Sequence, residues 1–323
     1  VDAGRTWGDK LRQALIESWG EERGLTLFRK YGSGFPSAYR ERFNAQTAIF
    51  DIDRIEEAVS SGEIGVNLYR PIEAEENQLR FKIYHAGGSI VLSEIMPMVE
   101  NMGLKVLEES PFDVTLTDTG ERVVLHDFAL ETRYGDTVNF TTVRDAFHES
   151  FVRVWRGDIE DDGYNRLVLS AGLGWRDVVV LRAYSKYLRQ AGIPFSQEYM
   201  EDTLARNADL TAHLAKLFKI RFDPSIEDDG GKRESGLVNV IDIKLDMVDN
   251  LDEDRILRRF INIVGATLRT NFYQKNSDGS FKSYVSLKFA SRKIDDIPQP
   301  APLREIFVYS PRFEAVHLRF GMI

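Results

Sequence analysis

The stretch "HAGGSIVLSEIMPMVENMGLKV", residues 85–106, decides the fold. It reads as the end of a strand, a turn carrying Gly87 and Gly88, a helix, a glycine stop at Gly103 and the start of another strand. Ile90, Leu92, Ile95, Met98, Val99 and Met102 recur at three- and four-residue spacing, so they form one apolar stripe. Ser89 is expected to cap this helix and Pro97 to bend it. Met96, Met98 and Met102 read as core filling, since an unbranched thioether fits irregular gaps.

On either side the period changes to two. Residues 64–71 and 78–86 alternate around a polar loop, and 104–116 and 122–132 alternate around "TDTGE". We expect residues 64–135 to form one antiparallel sheet with one face covered by the helix 89–102. The other face is then left for a helical module or solvent. On this reading Leu92→Asp places a charge in a core and unfolds the module.

Further out, the pattern is mostly helical. Residues 5–31 read as a helix weakened at Gly20 and Gly24, followed by short helices over 38–43 and 51–60, the latter capped by Asp51. Residues 139–222 hold four amphipathic stretches punctuated by Gly157, Gly174, Gly192 and Pro194. Residues 223–236 form a polar, Gly-bearing linker. A helical region spans 237–273 with a break near Asn250, and strands follow at 284–291, 304–310 and 314–321. The fold class expected is α+β. Its segments are 1–62 (helical), 63–138 (α+β module), 139–225 (helical module) and 236–323 (a helix entering a sheet).

Composition narrows function by exclusion. The 323 residues carry 51 acidic and 42 basic side chains, a net charge of −9. That balance argues against nucleic acid and against anionic membrane surfaces as partners. No apolar run approaches the ~18 residues of a membrane span. There is no cysteine, hence no disulfide, thiolate nucleophile or Cys-based metal site. The first 30 residues mix charged and apolar positions unlike a secretory signal, and a cytoplasmic location is expected.

Candidate motifs mostly dissolve on inspection. "DIEDDGYNRLVL" (158–169) places Asp158, Glu160, Asp162 and Gly163 as a calcium loop would, but its twelfth position is Leu169 where a bidentate Glu is needed. An acidic turn between helices is the better reading. The five histidines are scattered, with no pair at i, i+4, so no metal site is expected. "GLGW" (172–175) follows a helix and lacks the third glycine of a dinucleotide fingerprint. No catalytic residue is assigned.

Strand, Gly turn, helix, Gly stop and strand are the opening of a ferredoxin-like βαβ module. The stretch 85–106 also resembles an ACT domain, a small regulatory module that often binds amino acids between paired copies. That resemblance implies an effector approached by backbone N–H groups of the turn, here His85, Ala86, Gly87, Gly88 and Ser89. The plainer alternative is a structural turn in which Gly87 and Gly88 only permit the tight backbone.

A second resemblance covers nearly the whole chain. "DEDRIL" (252–257), "ATLRTNFYQ" (266–274), "YVSLKF" (284–289), "EIFVYSPR" (305–312) and "VHLRFG" (316–321) follow one another as in the large bacterial NAD-specific glutamate dehydrogenases. Upstream, "FPSAYRERFNAQTAIFDI" (35–52) and "GWRDVVVLRAYSKYLRQAGIPFSQEYM" (174–200) resemble the region before that family's catalytic domain. The resemblance implies a parent enzyme oxidising L-glutamate to 2-oxoglutarate and ammonia with NAD. It places residues 236–323 at the start of the catalytic core, ahead of the glutamate-binding stretch, the active-site lysine and the NAD domain.

The expectation is therefore a non-catalytic segment, inactive alone and without bound NAD, with a regulatory or assembly role. Its expected partners are the catalytic remainder of the polypeptide, further copies in a homo-oligomer and an amino-acid effector. The alternative is a free-standing amino-acid-sensing regulatory protein. A strand pattern running to the last residue further leads us to expect an open edge over 304–323, either self-associating or mobile.

Overall fold

The computed structural model describes residues 4–133, 139–227 and 229–321. Among these it holds twelve α-helices and two antiparallel four-stranded sheets, a mixed α/β architecture. The chain divides into two compact units, residues 1–100 with 104–140, and 101–103 with 141–323.

In the first unit α1 (Trp7–Trp19), α2 (Glu21–Tyr31), α3 (Ser37–Arg42) and α4 (Ala45–Ser61) precede β1 (Gly65–Tyr69) and β2 (Gln78–Ala86). Then come α5 (Leu92–Asn101), β3 (Leu104–Thr115) and β4 (Arg122–Thr132). The expected single helix over 5–31 is two, because Gly20 takes φ 82° and its N–H closes on Ile16 O. That backbone is open to glycine at no steric cost. The cap of α4 is Asn44, whose side chain accepts from the Thr47 N–H, and not Asp51, which sits buried in mid-helix.

The strand order is β1-β2-β4-β3, every neighbour antiparallel. β2 and β3 thus run parallel to each other with β4 between them, joined by α5. The register pairs Tyr84 with Leu125 and Lys82 with Asp127, so these side chains share one face. That face is roofed by the N-terminal helices. Leu11, Leu15, Tyr31, Tyr39, Ile52 and Ile55 form one buried cluster with Tyr84, Phe112, Val114, Val123 and Leu125. This cover comes neither from residues 139–225 nor from solvent, the two options the sequence left open.

The opposite face carries Val66, Leu68, Phe81, Ile83, Val124 and Phe128, all buried. The α5 helix begins at Leu92, so Ser89 is not its cap. Its buried side chains are Ile95, Met98 and Val99. Leu92 and Met96 are 36% and 37% exposed, which corrects their assignment to the core. In a helix that starts three residues later than expected, Leu92 stands on the first, outward turn.

The second unit starts with α6 (Phe140–Trp155), the short α7 (Leu167–Ser170) and α8 (Trp175–Gln190). It continues with α9 (Gln197–Arg206), α10 (Ala208–Phe222), α11 (Lys232–Leu245) and α12 (Leu251–Ala266). Its sheet is β5 (Thr267–Thr270), β6 (Val285–Phe289), β7 (Arg304–Ser310) and β8 (Phe313–Arg319), in that order. The expectation that helix extends to 273 fails at Thr267, where β5 begins and pairs with β6.

The α8 helix packs on this sheet through Tyr187, whose ring lies 4.5 Å from Phe289 and 5.6 Å from Phe307. Tyr184 is fully buried and shares a 2.9 Å hydrogen bond with Thr267. Phe289 and Phe307 are fully buried, and each contributes about 1.5–3 kcal/mol over leaving it in water. Among the described residues no helix is long and apolar enough to cross a membrane.

Candidate functional site

The turn after β2 is where effector binding was expected. His85 and Ala86 are the last strand residues, held opposite Val124 and Val123. Gly87 and Gly88 follow at φ 96° and 149°. A Cβ on either would meet open space, so glycine is required here by the backbone angle and not by crowding. The His85 ring closes the turn, with Nδ1 2.9 Å from Gly88 O. Ile90 is buried and anchors the far side. Gly87, Gly88 and Ser89 are exposed, so the five residues form one continuous surface turn ahead of α5.

Sequence reasoning missed a buried ionic cluster behind the same strand. Asp51 of α4 and Lys82 of β2 are each 1% exposed, with Lys82 Nζ 2.7 and 3.0 Å from the two carboxylate oxygens. Tyr84 donates to Asp51 at 2.5 Å, and Tyr39 donates to its other oxygen. The Lys82 ammonium lies 4.0 Å from the centre of the Phe43 ring, a cation–π contact. Burial, with the Asp51 charge beside them, pushes both phenols well above their ordinary pKa, so they stay protonated donors.

Next to it Asp127 accepts from Arg80, and Arg42 approaches at 3.8 Å. The signal was present in "QLRFKIYHA". Arg80, Lys82 and Tyr84 alternate with Leu79, Phe81 and Ile83, so a strand apolar on one face was placing charge under the helices on the other.

The second unit explains the acidic turn 158–163. Asp162 caps the 3-10 turn Gly163–Arg166 by accepting from Tyr164 N, and it takes two 2.7 Å bonds from Arg182. Arg182 is fully buried and also reaches Asn165 Oδ1 at 2.7 Å. Glu160 accepts from Lys186 and Tyr309, both at 3.0 Å. These carboxylates are committed to protein cations and hydroxyls. Among the described residues there is no group of three or more His, Asp or Glu arranged to hold a metal. A Cβ on Gly163 would lie 2.3 Å from a Glu201 oxygen and 2.7 Å from an Arg166 nitrogen, so those side chains would have to shift to admit one.

In both clusters the charges are paired with one another; Asp51, Lys82 and Arg182 are buried, while Glu160 keeps 25% of its side chain exposed. The exposed turn 85–89 is the group among these open to a small ligand.

Four family models match along the chain, in order. They are glutamate dehydrogenase helical motif 2 over residues 14–58, the glutamate dehydrogenase ACT3 domain over 63–143, helical motif 3 over 159–224, and the bacterial NAD-glutamate dehydrogenase catalytic domain over 240–323. Three relatives named NAD-specific glutamate dehydrogenase align with the whole chain. The protein from Halomonas elongata is 40% identical over 323 residues, that from Pseudomonas aeruginosa 39% over 330, and that from Mycobacterium tuberculosis 36% over 330. The chain spans 20% of the length of each.

Proposed function

Because the chain belongs to the bacterial NAD-specific glutamate dehydrogenases, we propose that it serves as a non-catalytic segment of such an enzyme. The enzyme would convert L-glutamate, NAD and water to 2-oxoglutarate, ammonia and NADH, with hydride passing from the substrate α-carbon to NAD and water supplying the new carbonyl oxygen. The observation that carries this is identity of 36–40% over every residue, with four family models in one consistent order. Glutamate-dependent NADH formation by the polypeptide encoded by the whole reading frame, and none by residues 1–323 alone, is the expected result. NADH formed by residues 1–323 alone would overturn the assignment.

Residues 63–138 are read as an ACT-like, ferredoxin-like module. The parallel pair β2 and β3, split by β4 and linked by α5, supports this reading. An amino-acid effector would place its carboxylate against the exposed backbone of Gly87, Gly88 and Ser89, beside the His85 ring. Calorimetric titration with the twenty amino acids tests it. Gly88→Ala, which strains φ 149°, is expected to abolish any heat seen. Homo-oligomerisation and a cytoplasmic location belong to the same proposal.

A further inference from the structure

The second unit contains a cleft of about 540 Å³, within the range of small-molecule sites. It lies among the N-terminus of α8, the C-terminal end of α6, the segment leading into β6 and the turn between β7 and β8. Nothing in the function above uses it.

Its walls are aromatic and fixed. Trp175 donates its indole N–H to Glu149 at 2.8 Å, and Arg153 lies 4.7 Å over its ring. Phe281 is held by the Arg176 guanidinium, 3.2 Å from the ring centre, and Arg176 is itself bonded to Phe272 O. Phe281, Tyr284 and Phe313 remain 39%, 40% and 52% exposed around one opening. Single exposed aromatics are ordinary, but three converging on a cleft are not.

The charge is unbalanced. Arg153 is offset by Asp158 at 3.2 Å and Glu149 at 3.9 Å. The side chains of Lys282 and Arg312, which also line the cleft, make no hydrogen bond or ion pair among the described residues. Lys282 feels Asp278 across solvent, and that charge helps to hold the Asp278 carboxyl low, after the hydrogen bonds it accepts from Ser280. The turn carrying Arg312 is built before any ligand arrives. Ser310 Oγ accepts from the N–H groups of Arg312 and Phe313, each at 3.2 Å. A chain of net charge −9 thus lines this aromatic cleft with two cations whose side chains are in no ion pair, Lys282 being offset only at a distance by Asp278.

We propose that this cleft binds a small aromatic carboxylate, its ring against Trp175 and Phe281 and its carboxylate between Lys282 and Arg312. Ring and charge are both needed. Exposed cations alone bind a simple anion weakly in salt, and the aromatic wall alone gives no orientation.

The test is calorimetric titration of the 323-residue chain at low ionic strength with phenylacetate, 2-phenylethanol (the ring without the charge) and acetate (the charge without the ring). Phenylacetate is expected to bind at least tenfold more tightly than either fragment and to quench Trp175 fluorescence. Lys282→Ala with Arg312→Ala is expected to weaken phenylacetate about tenfold while leaving binding of 2-phenylethanol and the circular dichroism spectrum unchanged. Phe281→Ala supplies an independent check, with loss expected for both ring-bearing probes. Equal binding of phenylacetate and acetate, wild-type affinity in the double variant, or a fluorescence change that persists in Trp175→Phe would each overturn the proposal.

Discussion

At the scale of single residues, the buried pair of Asp51 and Lys82 governs the first unit. Removing one partner strands the other charge among aromatic rings, which costs about 3–5 kcal/mol, whereas removing both together costs less. We expect Lys82→Met and Asp51→Leu each to lower the urea midpoint strongly and the double variant to recover part of the loss. Additive losses would show that the two groups do not interact. On α5, Ile95→Ala is expected to cost about 2–5 kcal/mol and Leu92→Ala less than about 0.5, read by the same melts. Leu92 shows what periodicity can and cannot supply. Its spacing places it on the stripe, but Leu92 is exposed while Ile90 and Ile95 on either side are buried, because the chain between Gly88 and Val91 is not yet helical and the helical period does not run through it. Asp51 was read as a cap from its position before an apolar run. Its partners Lys82 and Tyr84 lie over thirty residues away, and a local pattern carries no information at that range.

At the scale of elements, ends decide behaviour. The α1 helix is closed by a capping box in which Thr6 bonds Asp9 N and Asp9 bonds back to Thr6. Those hydrogen bonds from the Thr6 hydroxyl and backbone, with Arg5 and Arg12 nearby, hold the Asp9 carboxyl below its usual value. A depressed acid contributes stability above its unfolded pKa, and the contribution fades as pH falls through the folded one. Amide exchange in the first turn of α1 should therefore accelerate relative to the rest of the helix on acidification below the ordinary carboxylate range. In Thr6→Ala that pH dependence should shrink, and an unchanged profile would contradict the role of the box.

The second sheet has the opposite kind of end. β8 is an edge strand exposed at every residue, and Val316 stands directly opposite the fully buried Phe307. The apolar face of β7 thus runs on, uncovered, into Val316 and Leu318. Light scattering is expected to show association rising with concentration, abolished by Val316→Lys with Leu318→Lys. A monodisperse monomer at all concentrations would refute it. The strand itself was legible from alternation, but β5 was not. Four residues adjoining a helix carry too short a pattern to reveal a change of period, and only pairing with β6 turns Thr267–Thr270 into a strand.

At the scale of the whole molecule, elements were more legible than the cores they share. Alternation and glycine stops located β1 to β4 and the end of α5 closely, but not its start. The roof over their second face was not visible, since Leu11, Tyr39 and Ile52 look the same whether they pack on one another or on a sheet. The family was legible from local motifs such as "EIFVYSPR", which specify residues and not only periodicity. The acidic turn at 158–163 shows the converse: it was legible as a turn between helices, but the partner of Asp162 is Arg182, which lies outside the motif.

The central proposal is that a polypeptide containing this chain oxidises glutamate at its α-carbon. It is tested most directly by incubating the product of the whole reading frame with NAD and L-glutamate deuterated at C2. Deuterium recovered in the reduced nicotinamide, with 2-oxoglutarate and ammonia formed in equal amounts, is the result predicted. Turnover that leaves the C2 deuterium in the amino acid or releases it to water, or an absence of NAD reduction by the pure, folded polypeptide, would contradict it.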